Sequence, residues 1–376
     1  MKKSFIYSTN LFDKTLVSFD YSYKNLGGWL INKLEISPGK VLIITDNNVA
    51  KFWLQQIVNS LNDYKFQTIA YPINRKLNDD ESVKSLRFAN KIYQILLTNN
   101  FNRSDIVISL GGGVIGDLAG FCASTFYRGI PLIHCPTTLL AQVDSSIGGK
   151  TALHFKRITN AIGTYYQPRG VFLNLKSLDT LPEREFWSGF SEIVKIALIL
   201  DKSLANLLDA NANTIKKFNK NILTKIILRS AFLKASVVSC DVNEKGSRLL
   251  LNFGHTVGQA IETIQCHKEL KHGEAIAIGM TAAAKIGQIL KITKPHYIQF
   301  QEKLLKEFNL PTSMKDTDTA NKYPKEYLIS KIKNAMLFDK KRRKKLRITI
   351  PITIGKGAVI EVDKLSVLDR VLSDLF

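Results

Sequence analysis

The sequence predicts an α/β fold, with an N-terminal doubly wound parallel sheet followed by a C-terminal, mostly α-helical domain. Up to about residue 180, short apolar runs alternate with helical patterns, which is the order that builds a parallel sheet with helices on both faces. After Leu181-Pro182, long helical patterns with few strand signals continue to about residue 335. We therefore expect two domains, residues 1–180 and 181–376.

Three apolar runs of the first domain are typical of buried strands: 41–44, 106–108 and 131–134. They lead into polar or glycine-bearing turns: Thr45–Asn48, Gly111–Gly113 and Thr137–Thr138. A glycine turn between a strand and a helix lets backbone N–H groups approach a phosphate, and the helix N-terminus favours its charge. Taken alone, the glycines equally fit an ordinary tight turn, and Asp46 equally fits a helix cap.

A polar loop, Asp144–Thr151, follows the strand at 131–134 and brings one carboxylate, two serine hydroxyls and the ammonium of Lys150. Two polar, glycine-bearing loops at neighbouring strand ends build one crevice. The pair therefore favours a ligand site over two unrelated turns.

Composition limits the class of protein. No run of 18 apolar residues occurs, so we expect no membrane span. Residues 1–14 lack the sustained apolar core of a signal peptide, and the four cysteines show no CxxC spacing. We therefore expect free thiols, a cytoplasmic location and no membrane partner.

The formal net charge is +21, which suits either a nucleic acid or a small anionic substrate. The densest basic run, Lys340–Lys345, contains no aromatic residue. A solvated basic loop is favoured there over a nucleic-acid patch. We therefore expect no nucleic-acid partner.

The second domain contains the candidate metal ligands. Glu192 and Lys195 lie three residues apart on one predicted helix and so share a face, surrounded by apolar residues. Buried charges of this kind need partners or a metal. With His255 and His272, Glu192 completes a two-histidine, one-carboxylate set that suits Zn²⁺. Spacing alone supports this weakly, because no local signature joins the three and lone histidines are more often core residues.

Five separated blocks resemble 3-dehydroquinate synthases, a family of sugar phosphate cyclases related to the iron-dependent alcohol and glycerol dehydrogenases. They are GGGVIGDLAGF, YRGIPLIHCPTTLLAQVDSSIGGKTA, SGFSEIVK, LLLNFGHTVG and KHGEAIAIGM, in family order over nearly the whole chain. The resemblance implies an N-terminal NAD-binding domain, a helical metal- and substrate-binding domain, and an active site in the cleft between them. It also implies the conversion of 3-deoxy-D-arabino-heptulosonate 7-phosphate, a phosphorylated seven-carbon sugar acid, to 3-dehydroquinate and phosphate in the shikimate pathway. The steps are a transient oxidation by NAD, phosphate elimination, re-reduction and an intramolecular aldol closure.

The resemblance assigns roles to individual residues. Glu192, His255 and His272 match ligands of Zn²⁺, for which Co²⁺ can substitute. Residues that match the substrate site are Asp144, Lys150, Asn160, Lys195, Lys234, Arg248, Asn252 and Lys340. Arg128 matches an arginine that reaches into the neighbouring subunit's site, which implies a homodimer. Residues that match the NAD site are Asp46, Asn48, Glu81, Lys84, Gly112, Gly113, Asp117, Thr137, Thr138 and Thr180.

Two positions depart from the family pattern. Gln259 stands where the family has a second histidine, one helical turn after His255, and glutamine donates a hydrogen bond but does not titrate. Thr159 stands where the family has a lysine that touches the cofactor. Both changes allow a weakened activity or a shifted substrate.

Three alternatives therefore stay open. One is another sugar phosphate cyclase of secondary metabolism, acting on sedoheptulose 7-phosphate or making an amino-dehydroquinate. The Asp144–Lys150 loop and Arg248 favour the dehydroquinate branch over it. A polyol dehydrogenase is less favoured, since it would not need so many phosphate-binding lysines. A weakened or inactive homologue is disfavoured by the intact Glu192, His255 and His272.

Overall fold

The structure is a computed structural model that describes residues 4–9, 14–74, 83–156, 158–265, 269–315, 317–340, 346–362 and 365–376, without the side chains of 337–340 and 365. The chain forms two compact units. The first comprises Met1–Pro182 with Ala235–Asn243, and the second comprises Glu183–Lys234 with Glu244–Phe376. Among the described helices, none combines the length and the apolar character that a membrane crossing requires.

The described part of the first unit contains nine strands and four longer helices. The strands are β1 (Ser4–Ser8), β2 (Lys14–Asp20), β3 (Lys40–Asp46), β4 (Gln67–Ile73), β5 (Ile106–Gly111), β6 (Leu132–Pro136), β7 (Lys150–Phe155), β8 (Ile158–Tyr165) and β9 (Gly170–Asn174). The helices are α1 (Leu26–Leu34), α2 (Asn47–Asp63), α3 (Leu86–Thr98) and α4 (Gly113–Thr125). Short 3₁₀ segments span Phe126–Arg128 and Leu175–Thr180, and a π-helical turn spans Ala141–Ser145.

Seven strands form one sheet in the spatial order β1-β2-β9-β6-β5-β3-β4. Every neighbouring pair is parallel except β1 with β2, which is antiparallel at one edge. The central strands are buried on both faces: Val107 packs into one apolar cluster, while Ile106 and Ile108 pack into another. Successive side chains of a strand point to opposite faces of the sheet, so the two clusters lie on opposite faces. Helices contribute residues to both clusters and therefore cover both sides of the sheet. The predicted doubly wound sheet is confirmed.

The order of the strands creates a switch point between β3 and β5. The chain passes from β3 outward to β4 and then returns to β5 on the other side of β3. In sheets of this kind, ligands bind beyond the carboxyl ends of the strands at the switch point. β3 ends at Asp46 and β5 ends at Gly111, so the two polar turns noted in the sequence lie at this edge.

The second unit is mainly helical, as predicted. Its helices are α5 (Glu183–Leu200), α6 (Lys202–Ala210), α7 (Ala212–Lys216), α8 (Lys220–Cys240), α9 (His255–Ile264), α10 (His272–Ile289), α11 (Pro295–Glu307), α12 (Asp318–Lys322), α13 (Lys325–Lys340) and α14 (Leu365–Asp374), with a 3₁₀ segment at Ser247–Asn252. The last residues of α8 belong to the first unit. A hairpin of β10 (Leu346–Thr353) and β11 (Lys356–Val362) packs with α5 and α10. Most of α10 is buried, which makes it the central helix of this unit.

Candidate active site

The glycine turn after β5 leads directly into α4. Gly112 is the N-cap of α4 and has φ −80°, so no left-handed backbone requires a glycine there. A Cβ on Gly112 would instead lie 2.9 Å from Cγ2 of Thr138, in the turn after β6. The glycine therefore allows the two strand-end turns to approach closely, and it leaves the N-terminus of α4 open to an anion.

Asp46 is buried at the end of β3 and caps α2. Its Oδ1 accepts hydrogen bonds from the backbone N–H groups of Asn48, at 2.9 Å, and Val49, at 3.0 Å. The sequence left a helix cap and a ribose contact open, and the structure shows the cap. The cap also fixes the carboxylate at the switch point, where a dinucleotide fold places its ribose-binding acid.

The threonines assigned to the NAD site lie in turns after β6 and β9. The N–H of Thr137 donates to the Gly111 carbonyl at 3.0 Å, and Thr138 Oγ1 accepts from the N–H of Ala141 at 3.1 Å. Thr180 Oγ1 accepts from Trp53 Nε1 at 3.1 Å. Glu81 lies outside the described residues. The structure thus places these candidates around the carboxyl edge of one sheet: Asp46, Asn48, Gly112, Gly113, Thr137 and Thr138.

Lys84, Asp117 and Asn160 form a polar cluster in the first unit. Lys84 is 6% exposed, and its Nζ lies 2.6 Å from Asp117 Oδ2 and 2.5 Å from Asn160 Oδ1. The resemblance assigned Lys84 and Asp117 to the cofactor and Asn160 to the substrate. The structure therefore places a substrate candidate in contact with a cofactor candidate.

The other substrate candidates of the first unit are more accessible. Asp144 is half-buried in the π-helical turn, and Lys150 is exposed at the start of β7. Arg128 is exposed and has φ +67°, directly after Tyr127 with φ +48°. Two successive non-glycine residues in the left-handed region are costly, and such strain concentrates at functional positions.

The second unit brings the three predicted metal ligands together. One ligand atom from each of Glu192, His255 and His272 lies within 4.8 Å of the others. Glu192 Oε1 is 3.5 Å from His272 Nε2 and 3.8 Å from His255 Nε2. Glu192 is fully buried, and within the described structure neither of its carboxylate oxygens accepts a hydrogen bond, although Lys195 Nζ forms an ion pair with Oε2. A buried carboxylate whose Oε1 faces two imidazole nitrogens fits a divalent metal.

Each histidine is held by its other ring nitrogen. His272 Nδ1 lies 3.1 Å from Glu262 Oε1, and His255 Nδ1 lies 3.2 Å from the Phe253 carbonyl oxygen. Such partners fix the ring and leave Nε2 for the metal. The sequence analysis missed Glu262. Its position seven residues after His255 on one helix, and therefore on the same face, was the available signal.

Charges within the cluster shift the pKa values in opposite directions. Burial alone would raise the pKa of Glu192, but the Lys195 ammonium and the two imidazoles outweigh it and hold the pKa well below its usual range. Burial and then Lys195 lower the pKa of His255 to about 4. Burial also opposes the charged form of His272, but the carboxylates of Glu262 and Glu192 raise its pKa to about 10. The two imidazoles are therefore electrostatically unequal.

Glycines let the ligand-bearing helices approach one another. Gly254 precedes α9 with φ +81°, and a Cβ on it would lie 2.7 Å from the Ile276 carbonyl oxygen of α10. A Cβ on Gly273 would collide with the Ser188 carbonyl oxygen of α5. Larger residues at these positions would push α9 and α5 away from α10, and with them His255 and Glu192.

The second unit also buries three cations assigned to the substrate: Lys195, Lys234 and Arg248, which are 1%, 6% and 2% exposed. Asn252 Nδ2 donates to Glu244 Oε1 at 2.5 Å. Gln259 is exposed on α9, one turn beyond His255. The side chain of Lys340 lies outside the described part of the structure.

Family models match most of the chain. The model for the 3-dehydroquinate synthase N-terminal domain matches residues 74–188, and the model for its C-terminal domain matches residues 189–342. The chain belongs to the 3-dehydroquinate synthase family. A 3-dehydroquinate synthase of Acetivibrio thermocellus is 36% identical over 373 residues, covering 98% of each chain. One from Thermodesulfovibrio yellowstonii is 41% identical over 318 residues, covering 84% of this chain and 85% of the relative.

Solved structures share the fold. A 2-epi-5-epi-valiolone synthase from Streptomyces hygroscopicus, with NAD⁺ and Zn²⁺ bound, is 22% identical with a TM-score of 0.84, covering 98% of each chain. A 2-deoxy-scyllo-inosose synthase, complexed with carbaglucose-6-phosphate, NAD⁺ and Co²⁺, is 23% identical with a TM-score of 0.82, covering 99% of this chain and 100% of the other. The predicted relationship to the 3-dehydroquinate synthase family and its fold is confirmed.

Proposed function

We propose that this chain converts 3-deoxy-D-arabino-heptulosonate 7-phosphate to 3-dehydroquinate and phosphate, using NAD and Zn²⁺. The observation that carries the proposal is the cluster of Glu192, His255 and His272 in a chain of this family. In both histidines an oxygen acceptor contacts Nδ1, which orients the ring with Nε2 towards Glu192. When bound, Zn²⁺ supplies Lewis acidity at a substrate oxygen, and NAD supplies a hydride acceptor.

The chain's own residues bind and orient the substrate. Lys195, Lys234 and Arg248 place three cationic side chains in the interior of the second unit. The proposed substrate carries one phosphate and one carboxylate, and lysine and arginine side chains suit both of these anions. The net charge of +21 raises the local concentration of anionic substrates.

NAD is proposed to bind at the switch point of the first unit. There the N-terminus of α4 suits the pyrophosphate, and the carboxylate of Asp46 suits a ribose hydroxyl. The cluster of Lys84, Asp117 and Asn160 is proposed to border this site.

The relatives favour this substrate over the alternatives. Those that cover most of the chain are named 3-dehydroquinate synthase. The sugar phosphate cyclases with other products share the fold at lower identity. A sedoheptulose 7-phosphate cyclase is the second candidate. It is supported by Gln259, which stands where the family has a histidine.

We also propose a cytoplasmic homodimer. Arg128 is exposed in a strained backbone, beside Tyr127, which is 47% exposed, and an arginine held in this way suits a contact in a second subunit. The described cysteines, Cys122, Cys135 and Cys240, are free thiols, which supports a reducing compartment.

Inorganic phosphate release tests the proposed reaction. The chain, incubated with NAD⁺, Zn²⁺ and the heptulosonate phosphate, should release phosphate and form dehydroquinate, and should do neither without NAD⁺. His272→Ala should abolish release, whereas His296→Ala, a change at an exposed histidine on α11, should not. Release from sedoheptulose 7-phosphate but not from the heptulosonate phosphate would establish the second candidate instead.

A further inference from the structure

His154 takes part in a closed ring of hydrogen bonds on the β7–β8 hairpin. Its backbone N–H donates to the Lys84 carbonyl at 2.7 Å, and its ring Nδ1 lies 2.9 Å from the backbone nitrogen of Asn160. Asn160 Oδ1 accepts from Lys84 Nζ at 2.5 Å, which closes the ring. Each of the three residues therefore holds the other two.

The backbone geometry explains why Asn160 needs these hydrogen bonds to keep its orientation. The pairing of β7 with β8 is regular at Leu153, opposite Ile162, and shifts register before Phe155, opposite Ile158. His154 lies at this irregularity, where a bulge redirects side chains. Asn160, on the facing strand, has φ +52° and is exposed. A residue in this conformation on an exposed hairpin keeps its direction only where other bonds fix it.

The hydrogen bond between the His154 imidazole and the Asn160 backbone has a defined direction. A backbone N–H only donates, so His154 Nδ1 must be the acceptor, and the neutral ring carries its proton on Nε2. An asparagine at position 154 would offer its Oδ1 as an acceptor near the place of the histidine Nδ1, whereas an alanine there would offer none. The contact can therefore be removed or replaced by single substitutions.

We propose that His154 is a positioning residue for Asn160. It fixes the Asn160 backbone so that the amide reaches Lys84, and through Lys84 the carboxylate of Asp117. This inference rests on the proposed function, in which Asn160 contacts the substrate. In this role His154 acts through Asn160, and no contact of its own with substrate or cofactor is invoked.

Kinetics on the heptulosonate phosphate test this role. A lost hydrogen bond of this kind should raise KM roughly 3- to 10-fold in His154→Ala, with a smaller change in kcat, because ground-state and transition-state binding fall together. His154→Asn should restore KM to near the wild-type value, and His296→Ala should leave it unchanged. An unchanged KM in His154→Ala, or equal losses in the alanine and asparagine variants, would overturn the proposal.

Amide hydrogen exchange separates this inference from the proposed function, since it needs no substrate. Exchange at the Asn160 N–H should be faster in His154→Ala than in wild type and His154→Asn. Equal exchange rates in all three proteins would show that the His154 side chain does not hold Asn160. A wild-type chain that releases no phosphate would instead refute the proposed function, and the exchange result would still decide whether His154 holds Asn160.

Discussion

His272 Nδ1 lies 3.1 Å from Glu262 Oε1, so a nearly buried carboxylate fixes the ring whose other nitrogen faces Glu192. A carboxylate behind a metal-bound histidine orients the ring and increases its basicity as a ligand. Glu262 was absent from the residues that the sequence suggested. Its contact with His272 makes it a supporting residue of the proposed zinc site.

Removing Glu262 should therefore weaken zinc binding. Glu262→Ala should lower zinc affinity by about 10- to 100-fold, and Glu262→Gln by less, because an amide oxygen still accepts the hydrogen bond. Competition with a chromogenic chelator measures this without any assay of activity. Glu326→Gln, the same charge change at an exposed site on α13, provides the control. Unchanged affinity in Glu262→Ala would mean that His272 is oriented by other groups.

His134 should make the first unit sensitive to acid. It lies buried on β6, with Nδ1 2.6 Å from Ser109 Oγ, and burial lowers its pKa to about 4. An unfolded histidine titrates near pH 6.5, so the unfolded chain binds more protons between pH 6.5 and 4. The stability that the neutral ring provides is therefore complete above pH 6.5 and is lost as pH falls towards 4.

The expected loss from His134 is about 3 kcal/mol over that range. Urea unfolding in a Trp187→Phe background, where fluorescence comes from Trp29 and Trp53 of the first unit, measures it. His134→Gln should reduce the difference in unfolding free energy between pH 7 and pH 4 by a similar amount. The same pH dependence in both proteins would assign the acid sensitivity to other groups.

Arg128 is expected to act in the partner's site. Arg128→Ala and Lys195→Ala should each be inactive alone, but their mixed dimers should contain one intact site. After full subunit exchange, roughly a quarter of wild-type activity should return if dimers form at random. Mass spectrometry of intact dimers confirms the exchange. Heterodimers that stay inactive would place Arg128 in its own subunit's site or give it a structural role.

Local patterns predicted the first unit's central strands and their polar ends well. The runs at 41–44, 106–108 and 131–134 are apolar because both faces of those strands are buried, and this is a property of each segment alone. The antiparallel pairs β1–β2 and β7–β8 were not predicted. In β8 only Ile162 and Thr164 are half-buried and the other residues are exposed, so the strand has no strong apolar face.

Local sequence patterns predicted the metal cluster less well. Glu192, His255 and His272 lie on three different helices, and only the packing of α5, α9 and α10 brings them together. Their residue types suggested them only weakly, since no spacing rule joins them, and the family resemblance then assigned them as ligands. The role of Gly273 could not be read from the sequence either, because its neighbour, Ser188, lies on another helix.

Gln259 gives the last prediction, because it departs from its family beside the proposed zinc ligands. It is exposed on α9, one turn beyond His255, and its amide does not titrate near neutral pH. The departing phosphate of the substrate can itself accept a proton during elimination. General acid–base assistance is typically worth about 10²- to 10⁴-fold, so its loss should slow the reaction without abolishing it.

We therefore expect slow but measurable dehydroquinate formation by the wild-type chain, and faster turnover by Gln259→His. The pH profile of kcat should gain one ionisation near neutrality in Gln259→His that is absent from wild type and from Gln259→Asn. Phosphate release between pH 5.5 and 9 measures both effects. A folded Gln259→His variant that is slower on the heptulosonate phosphate would show that the glutamine is an adaptation. Since an added imidazole would then harm the reaction, a different sugar phosphate would become the better substrate for this site.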